Sequence, residues 1–399
     1  MTLQQLEQAL NIPIPQSWYG YWEVVAQDSQ ARIDAILNPE KVSGILHTYG
    51  FCLQHEERIL KAFAQIRENQ ALALFECLLD CAMRCDETRN CDQVDFPQGE
   101  GLAYRFIALP PMLNAVPEHV QYMRDRGVPE DIVLDTLKEF EACMYLHLVH
   151  DGDYAFTKRF YSWISMYIEN RLLRIGRLNY ELRTFQGNVR VYVRDDGAIT
   201  TLVDGVQIHR SGRFLGIRGC EDPEGAFFAE ITETQDAYIG YPVDENGLVC
   251  AQTVCIPKAQ WQLRLQKGDN VLEVHIPRIG PMDPEACQKS YQRAREVFAQ
   301  CYPDHNAKAF AIESWLLDME LKTMLKPTSN IVAFQKQYMP YPIKATGTAV
   351  LFFVFPHPTG TDYSKLDYTA LTENTSLERM VKKRFVEGGY MYEGGGFFF

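Results

Sequence analysis

The chain has 399 residues, with 39 Lys and Arg against 52 Asp and Glu, a formal net charge of −13. Hydrophobic residues make up 46% and charged residues 23%, the balance of a folded globular protein, which excludes a disordered or low-complexity chain. The length predicts two or three compact units, and the acidity argues against general affinity for nucleic acid or an anionic membrane surface.

The opening residues, MTLQQLEQAL, lack a basic start followed by an apolar core, so no signal peptide is expected. No run reaches the ~18 apolar residues a membrane span needs. The 11 cysteines lack the dense spacing of a secreted disulfide scaffold, which points to a reduced, cytoplasmic setting.

The first half reads as helical. Residues 56–87 carry Ile59, Leu60, Phe63 and Ile66, then Leu72, Phe75, Leu78 and Leu79, at helical spacing. Residues 112–140 read as two short helices split at Gly127 and Val128, with Pro129 suited to a first helical position. An aromatic-rich stretch, 154–174, is predicted as one longer helix.

At Gly176 the period falls from 3.6 to 2. Leu178, Tyr180 and Leu182 alternate with Asn179, Glu181 and Arg183, and Val189, Val191 and Val193 alternate with Arg190, Tyr192 and Arg194. Further strands are predicted up to 276, with Asn246-Gly247 and Gly268-Asp269 as turns. Asp283 and Pro284 open an amphipathic helix with Cys287, Tyr291, Ala294, Phe298 and Cys301 on one face. A strand at 309–316, helices near 318–325 and 329–338, a strand at 346–355 and a helix from about 375 to 388 follow. The end, Glu393-Gly-Gly-Gly-Phe-Phe-Phe, reads as a strand packing three aromatics. The expected organisation is α+β: a helical domain, 1–128, then a larger domain, 129–399, holding a β-rich block at 178–276.

Four stretches are recognisable: IGRLNYELR (175–183), GDNVLEVHIP (268–277), ESWLLD (313–318) with SNIVAF (329–334), and TSLERMVKKRFVEGG (375–389). Together they resemble a bacterial family of acyltransferase domain-containing proteins. The resemblance implies a helical N-terminal domain and a GNAT-like C-terminal domain, a mixed, largely antiparallel sheet flanked by helices. It implies an N-acyltransferase that moves an acyl group from acyl-CoA to a small-molecule amine.

Such chemistry needs a phosphate grip, a base and an acid. For the grip, the resemblance points to the segment after the strand ending at 276, where the superfamily carries Arg/Gln-x-x-Gly-x-Gly/Ala. Here Arg278, Gly280 and Met282 are the candidates. The basic residue is one position too close, Pro281 has no amide hydrogen, and Asp283 is set to cap the helix. A capped structural helix is the competing reading. For the base, period 2 puts Glu273 and His275 on one face of 270–277, where a carboxylate orients an imidazole. A structural hydrogen-bonded pair is the alternative. For the acid, the candidates are Ser314 and Tyr338, with Tyr341 nearby; packing competes for each.

A non-catalytic small-molecule binding or sensing protein on the same scaffold is the alternative function. No metal is expected. Cys77, Cys81, Cys85 and Cys91 lack paired C-x2-C spacing, and His147 with His150 has no firm third ligand.

Overall fold

The apolar period of residues 56–87 produces two helices, Glu56–Glu68 and Gln70–Cys85. Asn69 starts the second, its side-chain oxygen accepting hydrogen bonds from the amides of Ala71 (3.1 Å) and Leu72 (3.3 Å). The structure is a computed structural model that describes residues 1–85, 94–358 and 360–399. Cys91 and the side chain of Cys85 lie outside the described residues, while Cys77 and Cys81 are buried.

The chain divides into two compact units: Met1–Gly176 with Pro277–Ile279, and Arg177–Ile276 with Gly280–Phe399. In the first, the apolar helix Gln70–Cys85 is surrounded by Leu3–Leu10, Tyr19–Gln27, Ser29–Ile36, Glu56–Glu68 and Leu109–Asp125. That helix also buries Glu76 completely, and among the described residues neither carboxylate oxygen has a hydrogen-bond partner. Burial pushes its pKa well above the usual carboxylate range, and Asp80 one turn on adds to the shift.

The first unit runs past the expected 128/129 boundary. The helix Glu130–Leu137 packs on Leu109–Asp125 and on the strand β1 (Leu172–Ile175), whose Arg174 amide donates to Thr136 Oγ1 at 3.1 Å. Nor is 154–174 one helix. Only Tyr161–Ile168 is α-helical, and Asn170, in the left-handed region at φ 61°, reverses the chain into β1.

The second unit contains β2 (Leu178–Thr184), β3 (Val189–Arg194), β4 (Ile199–Val203), β5 (Val206–Ile208), β6 (Phe227–Ala229), β7 (Thr232–Glu233), β8 (Ala237–Pro242), β9 (Val254–Pro257), β10 (Trp261–Leu265), β11 (Asn270–His275), β12 (Ala309–Ser314), β13 (Met339–Pro342) and β14 (Gly394–Phe398). Five of these form one sheet in the order β2-β11-β12-β14-β13. Only β11 and β12 run parallel; the other pairs are antiparallel. A second, antiparallel sheet follows the order β10-β3-β4-β8-β7, with β9 on β8, and β5 pairs β6.

Each face of the first sheet has its own cover. On the back, the helix Pro284–Cys301 buries Cys287, Tyr291, Ala294, Phe298 and Cys301, all five expected positions. It packs against Tyr180, Phe310 and Phe398, and Tyr180 bonds Ser290 at 2.7 Å. On the front, Val271, Ala309, Ala311 and Phe397 share a core with Val189, Val191 and Leu265 of the second sheet.

The run 349–355, read from the sequence as a strand, folds instead as the helix Ala349–Val354. Val350, Leu351 and Val354 reach one side of it and pack with Val381 and Phe385 of the helix Ser376–Val386. A short apolar run has no period of its own, so packing decides its conformation.

Candidate active site

The alternation read in two separate stretches meets across one strand pair. In the antiparallel register of β11 on β2, Glu273 faces Glu181, His275 faces Asn179, and Val271 faces Arg183. All of these side chains therefore share the front face. Parallel β12 adds Ala311 beside Glu273, and so places Glu313 on this face too. Tyr341 of β13 lines the same small recess with Arg183, Glu273 and Glu313. Its ring lies directly over β14, where a Cβ on Gly395 would come within 2.2 Å of it, so only glycine fits there.

The hydrogen bonding differs from the expected Glu273–His275 partnership. His275 Nε2 lies 3.1 Å from Glu181 Oε2. Glu181 is nearly inaccessible, its side chain 6% exposed against 25% for His275, so a buried carboxylate holds a half-exposed ring. Glu273 instead pairs with Arg183, Oε2 to Nη1 at 2.8 Å. Burial raises the Glu273 pKa; the charges of His275 and Arg183 oppose the shift and that of Glu181 adds to it. Glu313 is raised as well, by desolvation and then by the charge of Glu273. The Tyr341 hydroxyl is pushed far up by burial and by Glu313 and Glu273. Glu181 was already visible in the sequence, in the polar half of the Leu178–Thr184 alternation. Its partner was not, because register between distant strands leaves no local signal.

Ser314 and Tyr338 do not join this patch. Ser314 follows Glu313 on β12 and so points to the back, where its hydroxyl accepts from the Leu316 amide at 3.2 Å and starts a short turn. Tyr338 is buried among Phe334, Phe398 and Tyr291 and bonds the Tyr291 hydroxyl at 2.8 Å. Burial pushes its pKa well above the ordinary phenol value, the wrong direction for releasing a proton. Both expected acids therefore belong to the packing behind the sheet.

The segment after β11 is tightly organised. The guanidinium of buried Arg177 donates to the carbonyls of Gly280 and Pro281, each at 2.9 Å. Gly280 has φ 114°, a conformation that favours glycine. Asp283 caps the helix as expected: its Oδ1 accepts from the Ala286 amide at 2.8 Å. The carboxylate of Asp283 thus occupies the start of this helix. Arg278 is exposed and belongs to the first unit.

Among the described residues, no group of three His, Cys, Asp or Glu is placed to hold a metal ion. His147 is held by Asp151 (3.0 Å) and Thr157 (2.9 Å). Also among the described residues, no helix is long and apolar enough to cross a membrane.

A helical unit leading into a mixed sheet, with one helix on its back and a polar patch on its front, is the architecture of the GNAT-like class. Residues 172–398 match the GNAT-like C-terminal domain, and residues 41–169 match the N-acyltransferase N-terminal domain. The chain belongs to the family with this GNAT-like C-terminal domain. Similar solved structures include an acyltransferase in complex with decanoyl-CoA and teicoplanin, at 18% identity and a TM-score of 0.64. Another is an acyltransferase in complex with decanoyl-CoA, at 19% identity and a TM-score of 0.62. A third is an acyltransferase mutant in complex with octanoyl-CoA, at 18% identity and a TM-score of 0.64. Each match covers 100% of this chain and 99% of the other, and at such identity the likeness shows the fold. No curated protein matches the chain.

Proposed function

We propose that this protein is an N-acyltransferase that moves an acyl group from an acyl-CoA thioester to a small-molecule amine. The observation that carries the reading is the Glu181–His275 pair, half-open on the front of a GNAT-like sheet. His275 accepts a proton from the acceptor amine, whose nitrogen attacks the thioester carbonyl carbon. The C–S bond then breaks and coenzyme A leaves as the thiolate. Glu181 positions the ring through their hydrogen bond. Glu273, paired with Arg183, is a second carboxylate on the same face and the candidate to share in the proton transfer. The similar acyltransferases bound to octanoyl-CoA or decanoyl-CoA support a fatty acyl donor, and those bound to teicoplanin support a small-molecule acceptor.

The test is incubation of the purified chain with acetyl-, octanoyl- and decanoyl-CoA and a panel of amines. Thiol release and product mass are followed. Release of free coenzyme A with a matching acyl-amide is expected; no acylated product from any pairing overturns the reading.

The sensing alternative draws on the helix start, where Asp283 occupies the Ala286 amide. Replacing Asp283 by Asn keeps a good cap but removes a negative charge at the helix start. Under the transferase reading, D283N lowers the KM for acyl-CoA about two- to five-fold with kcat unchanged, the size of one charge at a helix N-terminus. An unchanged KM would mean that donor phosphates bind elsewhere.

The carboxylate face also sets a pH response. The raised Glu273 pKa makes it lose its charge in acid earlier than a solvated carboxylate does. Arg183 opposes that rise. R183Q therefore moves the acid limb of kcat/KM to higher pH, read from a pH–rate profile. An unmoved limb would remove Glu273 from the proton-transfer step.

A further inference from the structure

The first unit contains an open recess of about 500 Å³ that takes no part in the chemistry above. It is lined by Arg58, on the helix Glu56–Glu68, and Arg105, on the helix Leu102–Arg105. Both guanidiniums turn to one carboxylate, Asp153. Arg105 Nη1 sits 2.8 Å from Asp153 Oδ2, and Arg58 Nη2 pairs with the same oxygen. The other oxygen, Oδ1, accepts from the Tyr154 amide at 2.8 Å. Two cations thus share one anion, and among the described residues no other carboxylate pairs with either of them. Among the described residues, the buried Arg58 Nε atom has no hydrogen-bond partner.

Gly99, Glu100 and Gly101 line it as well. Gly101 holds φ 98°, and a Cβ on Gly99 would strike the Tyr104 ring at 2.5 Å. Among the described residues, the amides of Glu100 and Gly101 meet no backbone acceptor. Guanidinium forks match the geometry of tetrahedral and planar oxyanions, and loop amides supply additional donors. Glu100 is exposed.

We infer that this recess binds an oxyanion of phosphate type, carried by a small ligand, between Arg58, Arg105 and the 99–101 loop. Asp153 is the internal counter-ion: it holds the two arginines in place and competes with the ligand.

The test uses the full chain and inorganic phosphate as probe, with thermal unfolding measured against sodium chloride at equal ionic strength. Saturable, phosphate-specific stabilisation is expected. R105Q weakens it by about tenfold or more, as expected for loss of a charge-assisted pair. D153N frees both guanidiniums and tightens it. Arg105 is 46% exposed, so its replacement spares the core; R58Q, closer to the interior, is the second variant. No phosphate-specific shift, or the same half-saturation in R105Q as in wild type, overturns the inference. Repeating the titration with coenzyme A present separates two sources. Loss of the phosphate effect assigns the anion to the donor's own phosphates, and its persistence assigns it to a separate small ligand.

Discussion

Replacing His275 by Gln is expected to lower kcat/KM for acyl transfer by about a hundred- to ten-thousand-fold, the contribution of a well-placed general base. The fold should be maintained, since the side chain is 25% exposed and its neighbours Leu272 and Val274 hold the strand from the back. Circular dichroism checks that point. Glu181 acts through His275, so E181Q lowers kcat by a smaller factor, about tenfold or more, and leaves the KM for the acyl donor unchanged. A structural role for Glu181 predicts lost stability with normal kcat in the surviving protein. Turnover in H275Q equal to wild type would remove the base assignment and leave the fold as the remaining argument for transfer.

Replacing Glu76 by Met is expected to make the protein more stable, and increasingly so as pH rises. The native carboxyl is buried and has no hydrogen-bond partner among the described residues, so its folded pKa stands above the ordinary value of 4.5. The folded state therefore holds its proton more tightly than the unfolded chain does. The contribution of Glu76 to stability is greatest below the unfolded pKa and falls as pH rises, by about 1.4 kcal/mol per pH unit, until the folded pKa is reached. Met has a similar volume and no proton to lose. Urea denaturation of both proteins at about pH 5 and about pH 8 tests this, because the difference between their unfolding free energies should widen with pH. A constant difference would mean that water or a shift of the helix relieves the charge.

The parts of the site that were legible in the sequence follow from one property of strands. Alternation in 270–277 put Glu273 and His275 together, and alternation in 178–183 put Asn179, Glu181 and Arg183 together. Both stand in the structure. The pairing of the two sets was not legible, since a register shift of one residue would have buried either set. The same rule, carried along β12, separates Ser314 from Glu313 and places the serine behind the sheet. Tyr338 illustrates a different limit. Its hydroxyl is satisfied by Tyr291, 47 residues away, and nothing local distinguishes such a tyrosine from a proton donor. Helix caps were the most readable features, because Asp283, Ser329 and Thr375 each bond an amide two or three residues ahead. The stretches 154–174 and 346–355 were the least readable. One is cut by a left-handed Asn170, and the other is too short and too uniformly apolar to show a period.

The strand β14 has a consequence for biosynthesis. Residues 394–398 lie between β12 and β13, and their glycines let Tyr341 and Leu317 close over the backbone. Until those residues have left the ribosome, the edges of β12 and β13 that they pair with are open, and Phe310 lacks the Phe398 ring that stacks on it at 4.8 Å. The nascent second unit thus carries unpaired strand edges through nearly all of its synthesis, the condition in which chains stick to one another.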